Sequence, residues 1–371
     1  MLCVAPPLLG LPGLAAKLWS GGNSERRMKS TTSNERKEPS TEDEEEGCEI
    51  YRQLKALLIG QDEVIETLIP HIQTHQAGLS PEGRPIGVFL LLGPTGTGKT
   101  RTVEALAEVL HGSAKNVVKV DCGEFQMEHE VAKLIGAPPG YLGHRETQPM
   151  LSQAKVNGAA SEDCDISLIL FDEIEKAAPS MTRLLMGILD KATLRLGDNT
   201  SVDFQNTLIF LTSNLGAKAI QRATKPDFGF EALLPPAKVE DSEKLQKVGM
   251  SAVRRKFSPE FVNRIDSVVT FKPLDRKAYS VILDQTLAAF SRLLRERLGM
   301  RAFRMLYTPA AKNLLLDKGT SLEFGARELK RTVQRHVMQP VAELVAQCQI
   351  PPGSAVTLDV RDGEFGLYLR Q

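Results

Sequence analysis

A glycine-rich segment of the chain has the spacing of a phosphate-binding loop. It reads Gly93-Pro94-Thr95-Gly96-Thr97-Gly98-Lys99-Thr100, and it lies between an apolar run and a helical pattern, as such a loop requires. The glycines let backbone N–H groups converge on phosphates, while Lys99 adds a positive charge and the Thr100 hydroxyl can bind Mg²⁺. The segment predicts a nucleotide site, but it does not say what the nucleotide is used for.

Two acidic residues, Asp172 and Glu173, directly follow the apolar run Leu168–Phe171. They would lie at the carboxyl edge of a parallel sheet, where ligands of such folds bind. We predict that Asp172 holds Mg²⁺, directly or through water, and that Glu173 polarises a water for attack on the γ-phosphate. Such a water favours ATP hydrolysis over kinase chemistry. The alternative is a pair of solvated acids after a buried strand.

Asn214 follows a further apolar run and could orient the same water. Asparagine after a strand is more often a turn or cap residue, so this signal is weak when taken alone.

The pattern of elements predicts an α/β fold. Short apolar runs alternate with helical patterns, which is typical of a parallel sheet with helices on both faces. Each predicted strand is a continuous run of Val, Ile, Leu or Phe, as expected for strands that are buried on both sides. The predicted strands are Ile86–Leu92, Val117–Cys122, Ile166–Phe171, Thr207–Thr212 and Ser267–Phe271.

The chain divides into three predicted segments. Residues 1–47 end in an acidic run and are too polar to bury a core, so we expect a disordered extension. Residues 48–271 would form the α/β domain, with Ala217–Gly249 read as one helix plus a loop. Residues 272–371 would form a second, mainly helical domain. Its first predicted helix is Pro273–Leu298, its second begins at Pro309 after an N-cap at Thr308, and its third is Gly325–Gln347 with a kink at Pro340. Two predicted strands follow, Val356–Val360 and Gly366–Leu369.

Composition excludes several classes of protein. The chain has 371 residues with 46 Lys+Arg and 46 Asp+Glu, so bulk charge does not attract nucleic acid or anionic lipid. It lacks eighteen uninterrupted apolar residues, which argues against a membrane span. Five widely spaced cysteines without ligand spacing predict a reducing compartment, no disulfide framework and no zinc site. We therefore expect a cytoplasmic protein.

Three motifs together resemble the Clp/heat-shock-100 type of AAA+ ATPase, in particular the second ATPase module of its unfoldases. They are Leu58-Ile59-Gly60-Gln61-Asp62-Glu63, then Arg84-Pro85-Ile86-Gly87 leading into the phosphate loop, and Phe171-Asp172-Glu173-Ile174-Glu175-Lys176-Ala177. The match runs from about Cys48 to the C-terminus. It implies ATP with Mg²⁺ and an AAA+ P-loop NTPase with a five-stranded parallel sheet between helices. A small, mainly helical C-terminal domain with short β-strands would follow.

The resemblance also implies roles for single residues. Leu58 and Ile59 match the adenine-contacting pair, although an ordinary apolar pair at a helix entry would look the same. Asn214 matches the first sensor and Arg327 the second, which the small domain offers to the same nucleotide. Arg264 matches the arginine finger that reaches the neighbouring subunit's γ-phosphate; a surface ion pair is its alternative.

Gly140-Tyr141-Leu142-Gly143 is similar to the family's pore loop, with Leu142 in place of valine. This implies that Tyr141 grips polypeptide in the channel of a homo-oligomeric ring, which in this family is usually a hexamer. The contact would be apolar and tolerant of the polypeptide's sequence. A Pro-Gly turn with a packed tyrosine is the alternative. Phe228-Gly229-Phe230 lies where peptidase-coupled members carry a docking tripeptide. The favoured alternative is a loop hydrophobe that packs on its own domain, because three residues are a short motif.

The chain also departs from the family pattern over His144–Pro149 and Lys191–Asp198, and we expect a single ATPase module that uses one ring or an adaptor. The leading hypothesis is an ATP-driven unfoldase that threads polypeptide. A clamp loader or DNA-remodelling ATPase is one alternative, with basic central contacts and steep salt dependence. A nucleotide-gated assembly module, which would tolerate loss of Tyr141, is the other.

Overall fold

A five-stranded parallel sheet organises the larger domain of the computed structural model, which describes residues 41–136, 149–217, 219, 242–321 and 324–370. The sheet has the order β2-β3-β6-β1-β7, and β4 pairs with β5 in a separate hairpin. Every bound of the five predicted sheet strands lies within one residue of the observed one. The strands are β1 Gly87–Leu92, β2 Val118–Asp121, β3 Ser167–Asp172, β4 Thr193–Arg195, β5 Ser201–Asp203, β6 Thr207–Ser213 and β7 Ser267–Thr270.

Burial on both faces explains the continuous apolar strands. Along β1, Val88, Leu90 and Leu92 pack in one core cluster, whereas Phe89 and Leu91 pack in a second cluster on the other face. The β4–β5 hairpin was not predicted, because Thr193-Leu194-Arg195 contains only one apolar residue and gives no strand signal.

Helices cover both faces of the sheet. Those on the Phe89 face contribute Leu68 and Leu106 to its core, and α6 contributes Leu185 to the other. The first helix begins at Thr41, before the predicted start of structure near Cys48. The helices are α1 Thr41–Leu57, α2 Asp62–Gln76, α3 Lys99–His111, α4 Val131–Ile135, α5 Gln153–Asn157, α6 Pro179–Lys191, α7 Ser242–Lys256 and α8 Pro259–Val262.

The C-terminal part has its own core and a three-stranded sheet of order β10-β9-β8. Thr308 caps its second helix as predicted, since its hydroxyl accepts from the Ala311 N–H at 3.2 Å. The elements are α9 Arg276–Leu298, β8 Arg304–Tyr307, α10 Pro309–Gly319, α11 Ala326–Val333, a π-helical turn Gln334–Met338, α12 Gln339–Ala346, β9 Ala355–Arg361 and β10 Glu364–Arg370.

Three details of this part differ from the sequence prediction. The long helix begins at Arg276 rather than Pro273, because the Asp275 carboxylate caps it by accepting from the Ala278 N–H at 2.7 Å. The irregularity expected at Pro340 lies just before it, in the π-helical turn Gln334–Met338. The strand β8 was not predicted.

The structure describes the side chains of three cysteines, and all three are free thiols: Cys122, Cys164 and Cys348. In the same part of the chain, no helix combines the length and the apolar character needed to cross a membrane.

Candidate nucleotide site

The phosphate loop joins the end of β1 to the start of α3, and Lys99 lies at its centre. Only 8% of Lys99 is exposed. Its ammonium donates to the carbonyl oxygens of Gly93 at 2.7 Å and Pro94 at 2.9 Å, and to Asn214 Oδ1 at 2.9 Å. Burial lowers the pKa of Lys99 to about 8, against the opposing effect of nearby acids led by Asp172. The buried ammonium group of Lys99 would therefore bind an anion strongly.

Thr212, at the end of β6, connects the two predicted catalytic acids. Its hydroxyl donates to Asp172 Oδ1 and accepts from the backbone N–H of Glu173 at 3.0 Å. Glu173 itself has a left-handed backbone conformation, with φ of 56°. Thr212 was predicted only as part of a strand, although a polar residue at the end of an apolar strand was a usable signal.

Asn214 lies between the phosphate loop and Glu173. Its side-chain oxygen accepts from Lys99, and its amide group donates to Glu173 Oε1 at 3.3 Å. The backbone N–H of Asn214 donates to Glu175 Oε1 at 3.0 Å, while Lys176 forms an ion pair with Glu173 Oε2. The structure thus brings together the residues predicted at the strand ends and adds Glu175 and Lys176, which the sequence reasoning had not assigned.

The start of α11 packs directly on the phosphate loop. The Ala326 N–H donates to the Gly96 carbonyl at 3.0 Å. Gly96 and Gly325 make this approach possible, because a Cβ on Gly96 would lie 2.2 Å from the Phe324 carbonyl oxygen, and one on Gly325 would lie 2.7 Å from Gly96. The adjacent Arg327 is close enough for its charge to contribute to the lowered pKa of Lys99.

Residues before α2 support the other side of the loop. The buried Gln61, which sequence reasoning missed, donates to the carbonyl oxygens of Lys272 at 3.1 Å and Thr97 at 3.4 Å. Leu58 is only 4% exposed and belongs to the core beneath, whereas Ile59 is half-buried.

Arg264 contacts a different element, α6. Its guanidinium donates to the Glu260 carbonyl at 2.9 Å and lies 3.4 Å from Met186 Sδ and 3.6 Å from Asp190 Oδ2. Its Nε atom is buried with no hydrogen-bond partner. The predicted arginine finger is thus anchored on its own chain away from the phosphate loop. Gly140-Tyr141-Leu142-Gly143 and Phe228-Gly229-Phe230 lie outside the described residues.

The donors at the start of α3 and the end of β3 fit Mg²⁺ bound together with a nucleotide. Thr100 offers a hydroxyl and Asp172 a carboxylate, both hard oxygen ligands. Among the described residues, no group of three or more His, Cys, Asp or Glu side chains could hold a metal ion on its own.

A buried loop lysine, a strand-end Asp–Glu pair and a linking asparagine place the chain in the class of P-loop nucleoside triphosphatases. Comparison with known families is more specific. Residues 84–268 match the family described as AAA domain (Cdc48 subfamily), and residues 274–358 match the C-terminal, D2-small domain, of ClpB protein. The chain belongs to the Clp/Hsp100-type AAA+ ATPases.

Individual relatives agree with this family. The chain is 38% identical over 308 residues to the chaperone protein ClpB of Vibrio cholerae, covering 83% of this chain and 33% of that protein. It is 34% identical over 312 residues to the negative regulator of genetic competence ClpC/MecB of Bacillus subtilis, covering 84% and 36%. The chain thus spans about a third of the length of these curated relatives.

A solved structure resembles most of the chain. It is a closed-state cryo-EM reconstruction of Hsp104 with ATPγS and FITC-casein, with a TM-score of 0.74 and 28% sequence identity. The alignment covers 89% of this chain and 53% of the Hsp104 chain.

Proposed function

We propose that the chain is an ATP-dependent, ring-forming protein unfoldase or remodelling chaperone. The observation that carries the ATPase part is the hydrogen-bonded chain Lys99–Asn214–Glu173 at one edge of the sheet. It links a phosphate-binding cation to a carboxylate, as coupling of binding to hydrolysis requires. Similarity to the ClpB and ClpC proteins supports the chaperone part.

The proposed chemistry gives each side chain a role, in keeping with the family resemblance. Lys99 and the loop N–H groups bind the β- and γ-phosphates, and Leu58 and Ile59 contact the adenine. Thr100 and Asp172 would hold Mg²⁺, which neutralises phosphate charge when it is bound. Glu173 accepts the proton of the attacking water, and Asn214 orients that water. Arg327 senses the same nucleotide from the C-terminal part.

Exchange of Glu173 for Gln tests the hydrolytic role. The amide keeps the size and one acceptor of the side chain but cannot accept the water proton, so ATP binding should persist while turnover is lost. Binding is measured with a fluorescent ATP analogue, and turnover by phosphate release. Glu82→Gln, an exposed site outside these contacts, is the control and should turn over normally. Normal turnover in Glu173→Gln would contradict the role of Glu173.

Polypeptide is the proposed substrate, gripped by Tyr141 in the channel of a ring. The support is the motif Gly140-Tyr141-Leu142-Gly143 and the casein that accompanies Hsp104 in the similar structure. Unfolded casein should raise ATP turnover of the unmodified chain and not of Tyr141→Ala. Equal stimulation of both proteins would favour an assembly module without threading.

A separate peptidase ring, docked through Phe228-Gly229-Phe230, remains a prediction from the sequence. Co-sedimentation of the ATP-bound ring with a Clp-type peptidase tests it, with Phe228→Ala as the matched variant. Binding that is equal with and without Phe228 would contradict docking through this tripeptide.

A further inference from the structure

Both carboxylate oxygens of Glu173 have partners within the chain. Oε1 accepts from the Asn214 amide at 3.3 Å, and Oε2 forms the ion pair with Lys176. Each oxygen keeps a free lone pair, but the ion pair fixes the direction of the carboxylate, and a base must reach the proton that it removes. Asn214 is tied to Lys99 and hence to the phosphate site. Within the part of the chain that the structure describes, Lys176 forms its ion pair with Glu173 and no hydrogen bond or ion pair with the phosphate loop.

Lys176 lies among acids at the sheet edge. Its side chain is 49% exposed, that of Glu173 is 31% exposed, and Glu173 is the main cause of the raised pKa of Lys176. Asp121 and Glu175 act on the same ammonium group in the same direction. A Cβ on Gly123, two residues after Asp121, would lie 3.8 Å from Lys176 Cδ, so the lysine stem passes beside the end of β2.

Asp121 is a suitable second partner for this lysine. It pairs in register with Asp172 across β2 and β3, and is therefore one position from Glu173 along the same edge. Exposed ion pairs are individually weak, so the ammonium group can exchange one carboxylate for another at little cost. A flexible four-carbon stem permits that movement.

We propose that Lys176 is a positioning residue that holds Glu173 away from the attacking water and releases it by moving to Asp121. This inference rests on the proposed ATPase function and adds a control on its rate. Lys176 sets how often Glu173 is free, and it leaves nucleotide binding unchanged because Lys99 and the loop do not depend on it.

Lys176→Met removes the ion pair, and we expect kcat for ATP to rise roughly two- to fivefold, as the loss of a weak exposed pair allows. KM and the Kd of a fluorescent ATP analogue should stay unchanged. Lys119→Met is the matched control, because Lys119 pairs with Glu104 at 2.6 Å with 44% and 30% of the two side chains exposed. That control should leave kcat unchanged. Lys176→Arg, which keeps the charge, should restore the low rate.

Asp121→Asn tests the second partner and should change the rate in the opposite direction. Asparagine keeps the oxygen that accepts from the Gly123 N–H at 2.8 Å, but it loses the negative charge. Lys176 then stays on Glu173, and kcat should fall below that of the unmodified chain.

An unchanged or lowered kcat in Lys176→Met, repeated in Lys176→Gln, would overturn the inference. A raised kcat in Asp121→Asn would overturn the transfer to Asp121. Glu173→Gln separates this failure from failure of the proposed function. If that variant hydrolyses ATP normally, the ATPase role of Glu173 is wrong; if it is inactive while Lys176→Met is unchanged, only the role of Lys176 is wrong.

Discussion

At the scale of the residue, Lys99 shows how burial prepares the site for an anion. The folded chain disfavours its ammonium form, and the pKa of Lys99 is lowered to about 8 from an ordinary value of 10.5. The contribution of Lys99 to folding stability therefore improves as the pH rises from about 8 to 10.5, since the folded state releases its proton first. Phosphate groups reverse the preference because they stabilise the ammonium form.

Above pH 8, ATP binding should therefore cause Lys99 to take up a proton from solution. At pH 8.5 we expect binding to take up a substantial fraction of one proton, and at pH 7.2 much less, because Lys99 is then already charged. Calorimetric titration in two buffers of different ionisation enthalpy measures this uptake. Lys119→Met should behave like the unmodified chain, and equal uptake at both pH values would contradict the assignment to Lys99.

The Thr212 hydroxyl holds the two acids Asp172 and Glu173 in place, so its removal should affect turnover. Thr212→Val keeps the shape but leaves Asp172 and the Glu173 N–H without their shared hydroxyl, at a cost of about 1–3 kcal/mol for the unpaired groups. We expect turnover to fall at least about tenfold, as a misaligned acid pair implies.

Thr207→Val is the control for Thr212→Val. Thr207 is as buried at the other end of the same strand, and its hydroxyl donates to the Phe204 carbonyl at 2.6 Å. The Thr207→Val variant should have a lower free energy of unfolding in chemical denaturation but the same ATP turnover as the unmodified chain. Equal turnover in the two variants would show that the Thr212 hydroxyl is only structural.

Residue types predicted much of this site but not its contacts. Lys99, Asp172, Glu173 and Asn214 follow apolar strands, so the topology of a parallel sheet brings them together. Lys176 gave no such signal. The partner of a long charged side chain depends on its rotamer and on the neighbouring loop, neither of which appears in the local pattern.

At the scale of the element, the contact between α11 and the phosphate loop joins the two parts of the chain. Sequence patterns found the helices from their apolar period and the central sheet from continuous apolar runs, because burial imposes both patterns. They did not find the hairpin strands β4 and β5 or the strand β8, nor the close approach of Gly325 to Gly96, which depends on how the domains pack.

Gly325→Ala should disrupt this contact. The new Cβ would lie 2.7 Å from Gly96 backbone atoms, at a φ of 55° that favours glycine. We expect weaker ATP binding and lower turnover, because the helix that carries Arg327 must move away from the loop.

Gly353→Ala is the matched control for the helix contact. Its φ of +76° is also positive, but no atom lies within 4 Å of the added Cβ. Its ATP affinity should match that of the unmodified chain. Equal loss of affinity in the two variants would attribute the effect to backbone strain rather than to the domain contact.

At the level of the assembled molecule, the proposed role of Arg264 as an arginine finger requires a second subunit. Met186, Asp190 and the Glu260 carbonyl hold it on its own chain, on and beside the helix α6 that follows the Glu173 segment. An arginine finger contributes on the order of 10³–10⁵ in rate. Arg264→Ala should therefore bind ATP almost normally and lose nearly all turnover.

Mixing variants tests whether Arg264 acts between subunits. Lys99→Ala has an impaired nucleotide site but keeps Arg264. Arg264→Ala lacks the arginine finger but keeps an intact nucleotide site. Each alone should be nearly inactive, and a mixture should regain turnover where an intact finger faces an intact site. A mixture that stays as inactive as its components would place the action of Arg264 within its own subunit.

Threading of polypeptide through a ring is the proposed activity of the assembled molecule. Its most direct test is ATP-dependent unfolding of a fluorescent protein with an unstructured tail, comparing the unmodified chain with Tyr141→Ala and recording ATP turnover in the same samples. We expect both proteins to hydrolyse ATP and fluorescence to fall only when Tyr141 is present. Hydrolysis by both proteins with equal loss of fluorescence, or with none, would contradict threading by Tyr141.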